Sequence, residues 1–524
     1  MKQSGLRLIA VSLCAIMLTI VFASCAAAEE KPMLLKFWSW NGDKVVSDGY
    51  VIQKVEEAMN VKLEILSRTR DTYKEKLRLS FASNDPPDFF SDITYAEFDI
   101  FLDQGVIAEI PIEMVYEAAP DYVKWLEKWL GDDPFASLMR DGKLYGLPSL
   151  WTPAFGARII GIRTDWMQNV GVTVVPETLE EFEDLLRKFR NDDPDGNGVK
   201  DTYGITTSGS MPTALDSMKM MFSFVFGAYD VWPVIFTEKD GAIVRGEIEP
   251  AAKDALTVLN RWYMDELIDP EFLVNKNNNL DDKFISGKVG AIQQSWFRFL
   301  PEQAFFDGRY YTNIRAAEPD ADFVLIGGLS GPGGEGGVIQ ENALASNAGL
   351  FFSKHMEKEP EKMRKYLEVA NYTGFDFDIL EIIHMGEEGL NYTKDAEGNY
   401  EWIPPYDQEE ERYKFGISKA VYDLPGIFND YDLLSKFMTR VEYEPLKDAT
   451  ELIGRGKYDI LDTITKPVYN EYYDLLNQYT LQNYLQFITG ERPISEFEQF
   501  VDEWMKMGGD KVMAEAQEIY DSLK

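Results

Sequence analysis

The chain has 524 residues, 45% of them hydrophobic and 13% aromatic, enough apolar material for two or more cored domains and unlike a disordered polymer. Its formal net charge of −37 repels phosphate backbones and leaves no basic stripe, so nucleic-acid binding is excluded. With two cysteines and two histidines in all, disulfide scaffolds, thiol chemistry and histidine-based triads or zinc sites have almost no material to work with.

In chain order, Lys2 and Arg7 precede an apolar run from Leu8 to Phe22, then Phe22-Ala23-Ser24-Cys25 and small residues up to Glu29. About 15 apolar residues are too short for a membrane span, and the positive start with a small-residue end reads as an export signal over 1–24. The ending resembles a lipoprotein lipid-attachment site, which makes Cys25 the acylated (palmitate-type) first residue of the mature protein and 25–32 a tether. Phe22 stands where such signals usually carry Leu, and cleavage within Ala26-Ala27-Ala28 is the alternative. No later segment is long and charge-free enough to span a bilayer, so the lipid is the expected membrane contact.

Leu34 to Trp40 reads as a strand closed by an Asn41-Gly42 turn, a helix follows, and Val61 to Leu66 alternates as a second strand, a β-α-β opening. Asn84 to Phe90 reads as a loop entering a buried strand, and Gly142 to Pro148 as a hairpin arm before the aromatics Trp151 and Phe155. Thr178-Leu179-Glu180-Glu181 is a capping box opening a helix whose buried face is Leu179, Phe182, Leu185, Leu186 and Phe189. Ser495-Glu496-Phe497-Glu498 reads as a second capped helix after the Thr489-Gly490 break. Strands and helices alternate without repeats or low-complexity linkers, which predicts closely packed α/β domains.

Asp193-Pro194-Asp195-Gly196-Asn197-Gly198-Val199-Lys200-Asp201 places oxygen donors at positions 1, 3, 5 and 9 of a calcium-type loop, with glycine at 6 and the Val199 carbonyl at 7. Gly204 occupies position 12, where a bidentate Glu is usual. The expected ligands are Asp193, Asp195, Asn197, Val199 and Asp201, and the alternative is a polar turn without metal. Gly331-Pro332-Gly333-Gly334-Glu335-Gly336 matches a dinucleotide fingerprint by letter, but Pro332 and the absence of a following helix N-terminus predict a mobile surface or hinge-side loop. His355 and His384 read as packing or surface residues. Close carboxylate pairs are inevitable among 89 acidic residues and identify no catalytic pair.

Several segments together resemble the extracellular solute-binding lipoproteins of carbohydrate ABC importers (family 1 type), of the large oligosaccharide-binding kind. They are the Pro87-Asp88 loop, Phe101 to Ile107, Gly142 to Pro148, Ile162 to Trp166 with Val175 to Thr178, Phe284 to Ala291, Gly389 to Thr393 and Phe487 to Gly490. The resemblance implies a two-lobed α/β fold of the type II periplasmic-binding-protein kind, with ligand in the cleft and the complex delivered to the importer's transmembrane subunits. It implies a monomeric receptor on the outer face of the cell membrane, without catalysis. A similar calcium loop in alginate-binding relatives supports a structural calcium at 193–201.

The expected lobes are 33–155 with about 300–355, and about 156–299 with 356–524. Sugars combine apolar C–H faces with polar edges, so their sites pair aromatic platforms with amide and carboxylate groups. The expected ligand contacts are Trp40 and Asn41 at a strand end, Tyr145 and Trp151 near an inter-lobe crossing, and Trp296; Trp232 and Trp402 are weaker candidates, and Trp166 reads as core. Two alternatives remain from the sequence: a surface-anchored carbohydrate-active enzyme using two carboxylates, and a sugar-sensing subunit.

Overall fold

A computed structural model describes residues 31–39, 46, 48–67, 73–150, 158–211, 213–300, 308–340, 349–417, 433, 435–439 and 455–524. Apolar side chains gather into two large cores. The first unites residues from Leu35 to Leu150 with Leu350 to Met438, and the second unites Ile160 to Phe272 with Ile326, Leu329, Val338 and Leu461 to Ala516. The described segments change core between 150 and 160, between 340 and 349, and between 439 and 455, while Trp296 and Leu300 reach from the second lobe into the first core.

The first lobe opens as the sequence predicts. Strand Met33–Ser39 pairs in parallel with Val61–Ser67, Leu35 opposite Leu63 and Phe37 opposite Ile65. Helix Tyr50–Met59 makes the connection and ends at Asn60, whose left-handed backbone (φ 50°) suits a short polar side chain. The hairpin arm is Met139–Arg140 against Lys143–Leu144, turning through Asp141 and Gly142, both at positive φ.

The second lobe is built on a four-stranded mixed sheet ordered Phe323–Ile326, Arg158–Arg163, Val289–Ser295, Tyr203–Thr206. Helix Leu179–Asn191 covers it. The Thr178 hydroxyl accepts from the Glu181 N–H while the Glu181 carboxylate accepts from the Thr178 N–H, and the five predicted apolar side chains face inward with Trp166 beside them.

Three expectations are corrected. Helix Pro360–Phe375 packs on helices Ile112–Ala118 and Pro120–Leu130, and Tyr392, Tyr400 and Phe437 join the first core, so 356–439 does not travel with the second lobe. Conversely, Tyr310, Ile314, Ile326 and Val338 pack in the second lobe, and of the expected 300–355 segment the first core takes Leu300 and Leu350 to Phe352. Amphipathic periodicity reports that a face is buried but not against what. The helix near Ser495 begins at Phe497, after a 3-10 turn over Ile494–Glu496 and without a side-chain cap.

The glycine loop is also not a loose surface turn. Gly331 and Gly334 hydrogen-bond to each other, a Cβ on Gly333 would sit 2.3 Å from the Asp230 nitrogen, and one on Gly336 2.1 Å from the Leu329 carbonyl. Backbone-to-backbone packing is why those residues are glycines.

Candidate functional site

The second-lobe sheet aims at the junction with the first. Arg158–Arg163 starts there, just after the chain leaves the first core. Its three partners run the opposite way, so Thr206, Ser295 and Ile326 end on that side. Ile159, Trp296 and Leu300, although carried by this end of the second lobe, pack into the first core. In α/β folds the crevice beyond the carboxyl ends of strands is the usual ligand site.

The strand ends carry a buried polar belt. The Thr206 hydroxyl donates to Asp269 (2.8 Å), Thr207 to the Met220 carbonyl (3.1 Å), and Ser208 to the Asn275 carbonyl. Asp269 also takes the Asn275 amide (3.1 Å) and the Lys283 ammonium (2.6 Å), so this carboxylate is fully engaged in structure. Gln293 donates to the Ser223 hydroxyl (2.6 Å) and the Arg158 carbonyl (3.1 Å).

On the first-lobe side, Tyr122 donates to the Pro148 carbonyl (2.6 Å) and Leu147 pairs with Leu350, which anchors the chain just before it crosses. Deeper in that lobe, Asp88 accepts from the Lys36 N–H (3.2 Å), the Tyr366 hydroxyl (2.9 Å) and Lys362 (2.7 Å), with His355 at 3.2 Å. Burial alone would raise the Asp88 carboxyl, but the Lys362, His355 and Tyr366 hydrogen bonds outweigh it and hold the group below the usual value. Among the described residues, a side-chain hydrogen bond joins the lobes directly: Thr465 donates to Asp99 (3.0 Å), whose other oxygen receives Arg140 (2.7 Å).

The expected contact residues fare unevenly. Trp40, Asn41, Trp151 and Cys25 lie outside the described residues. Tyr145 is half-buried and packs against the first core. Trp296 has no exposed surface and meets Phe297 edge-on at 5.8 Å, so in this arrangement it presents no face to a ligand and ties the second lobe into the first core instead. Trp232 is buried with its indole N–H on Asp230 (3.0 Å), and Trp402 lies under the Arg412 guanidinium at 4.8 Å. Sequence reading passed over Gln293, Ser223, Asp99 and Thr465. The first had a signal, an amide pair at the end of an otherwise apolar strand, and the others had none.

The 193–201 loop sits at the opposite end of the sheet, before the start of Tyr203–Thr206. Asp193 accepts from the Gly198 N–H (3.0 Å), and its other oxygen is buried without a partner. The Asn197 amide donates to Asp195 (2.7 Å) and Asp201 (3.2 Å), and Lys288 reaches Asp201 (2.8 Å). The Val199 carbonyl accepts from the Asp201 N–H (3.0 Å). Desolvation, with the Asp201 and Asp193 carboxylates close by, pushes the Asp195 carboxyl up. Among the described residues no three acidic, His or Cys side chains close around one metal point.

A sequence profile of the bacterial extracellular solute-binding proteins matches residues 45–319, just over half of the chain. The chain belongs to this family. Among its relatives, lipoprotein LipO of Bacillus subtilis is 27% identical over 375 residues, 69% of this chain and 68% of LipO. The polygalacturonan/rhamnogalacturonan-binding protein YtcQ of the same organism is 22% identical over 391 residues, 73% of this chain and 71% of YtcQ. The substrate-binding protein FusA of the Streptococcus pneumoniae ABC transporter, solved with kestose, superposes with a TM-score of 0.66 at 17% identity, covering 94% of this chain and 99% of FusA, and an EF-hand mutant of FusA has been solved with fructo-nystose. The solute-binding fold accounts for the two lobes and for the strand ends converging on the junction. Among the described residues no helix is long and apolar enough to cross a membrane.

Proposed function

We propose that this solute-binding protein captures an oligosaccharide between its lobes and delivers it to the transmembrane subunits of an ABC importer, held at the outer face of the membrane by a lipid on Cys25. The observation that carries the reading is the junction itself, where this end of the second-lobe sheet meets the first core through Ile159, Trp296 and Leu300. A hydroxyl-rich ligand would engage both lobes there and favour their closure, and the closed state is the signal to the permease. LipO, YtcQ and FusA bear names consistent with a lipoprotein that binds saccharides for transport. The protein acts as a monomer, and binding leaves its ligand chemically unchanged.

The 193–201 loop is proposed to hold a structural calcium through Asp193, Asp195, Asn197, Asp201 and the Val199 carbonyl. The buried, unpartnered Asp193 oxygen and the mutual repulsion acting on Asp195 fit a cation there. Binding would turn the Asn197 amide so that its oxygen faces the ion, and would move Lys288 off Asp201. Bound calcium supplies charge neutralisation and cross-links the loop; its place at the far end of the sheet gives it no part in the cleft.

The test is a thermal-shift screen of residues 26–524 against neutral and acidic oligosaccharides, with recovery of the ligand. A saccharide at a hundred times its dissociation constant adds about 2.7 kcal/mol of stability and raises the melting temperature. No shift with any saccharide refutes the receptor reading, and cleavage of the ligand replaces it with the carbohydrate-active enzyme.

A further inference from the structure

The buried end of strand Val289–Ser295 carries one acceptor that the protein itself does not use. Gln293 is 2% exposed, and its side-chain nitrogen is committed to the Arg158 carbonyl (3.1 Å) and the Ser223 hydroxyl (2.6 Å). The Arg158 carbonyl can only accept, so the amide orientation is set by chemistry: the nitrogen must face Arg158, and the oxygen faces away. Ser223 is fixed in turn, because its hydroxyl oxygen also accepts from the Ile339 N–H (3.4 Å) just before the chain crosses at 341. The Gln293 oxygen is left buried with no hydrogen-bond partner. Leaving such an acceptor unpaired costs about 1–3 kcal/mol, so its retention at the lobe junction calls for a donor from outside the chain.

We infer that the side-chain carbonyl of Gln293 accepts a hydrogen bond from a hydroxyl of the bound ligand, which makes it a specificity-determining residue for a sugar unit that presents a hydroxyl at that position. A carboxylate at that point brings only acceptors at pH 7 and meets this oxygen unfavourably, whereas the ring hydroxyls of neutral and uronate units alike can donate to it. The inference rests on the oligosaccharide-receptor reading above and narrows it.

Isothermal titration of residues 26–524 with kestose, nystose, maltotriose and trigalacturonate, on wild type and on Gln293→Met and Gln293→Asn, decides the matter. Wild type is expected to bind at least one of these oligosaccharides. Both variants are expected to weaken that binding by about tenfold, the loss of one neutral hydrogen bond in a buried site. Gln293→Asn keeps an amide but withdraws it by one methylene, so it carries the test if Gln293→Met does not fold. Unliganded melting temperatures within about 2 °C of wild type separate lost contact from lost fold. Equal affinity in wild type and a folded variant overturns the inference, leaving the acceptor to a water. A wild type that binds none of the four overturns it together with the receptor reading.

Discussion

Replacing Glu247 by Ala should unfold the second lobe selectively. Glu247 and Arg245 form an ion pair with both side chains wholly buried, 2.7 Å apart. The second Glu247 oxygen accepts from the Val234 N–H (2.8 Å), and Val234 is a β-branched residue held at φ 60°, a conformation such residues avoid. Arg245 continues to the Tyr469 hydroxyl (3.2 Å) and Asn477 (3.4 Å), which ties helix Pro467–Thr489 to strand Ala242–Arg245. Burial alone would pull the guanidinium down, and Glu247 with Tyr469 more than offsets it, so removing Glu247 leaves a buried guanidinium without its main compensation. Breaking one side of such a pair costs about 3–5 kcal/mol, because a buried charge is left alone. For a lobe of this size each kcal/mol moves the midpoint by about 2–4 °C, so the expected loss is about 6–20 °C. Differential scanning calorimetry of Glu247→Ala should show an early transition belonging to the second lobe while the first lobe melts near its original temperature. The double variant Arg245→Met/Glu247→Leu should recover much of the loss, since the unpaired charge is gone. A midpoint change below about 2 °C, or a double variant worse than the single, would refute the reasoning.

Calcium at 1 mM should raise the melting temperature of wild type, and Asp195→Asn should abolish that rise while leaving saccharide affinity unchanged; an equal calcium shift in the variant rejects the loop as the site. Asp99→Ala removes the acceptor shared by Thr465 and Arg140, so small-angle scattering should show a larger unliganded radius of gyration and titration an affinity lower by about threefold, the size of one partly exposed hydrogen bond. An unchanged radius and affinity would mean that the contact does not bias closure. His384 is buried in helix Phe377–Met385, its ring stacked on Phe437 at 5.2 Å, and burial pushes its pKa down to about 3. The unfolded chain protonates this imidazole below about 6.5 while the folded one stays neutral. Stability is therefore full above that pH and lost as pH falls from about 6.5 towards 3. His384→Leu should flatten that limb in urea titrations at pH 7, 5.5 and 4, and an unchanged slope would count against a neutral buried imidazole.

Local elements were legible before any tertiary structure. Leu35 and Phe37 alternate, Thr178 and Glu181 stand three apart, and Asp141-Gly142 permits a tight turn; each depends on neighbours within a few residues, where periodicity and capping chemistry act. The two-lobed architecture came from the ordered family segments. The cleft residues were less legible. Trp296 and Trp232 have the composition of sugar platforms, yet whether an indole face meets solvent or another ring depends on chain segments far away in sequence.

Composition, charge and the short-range elements were properties of the sequence by itself, because each is set by residue chemistry or by contacts between near neighbours. Tertiary structure alone decided that 360–402 packs on the first lobe, that Asp99 meets Thr465 across 366 positions, and that Gln293 is pinned by Arg158 and Ser223 with its carbonyl left over. Those outcomes follow from which apolar faces bury against one another and which polar groups are caught between them. Packing of that kind is collective, and no local pattern encodes it.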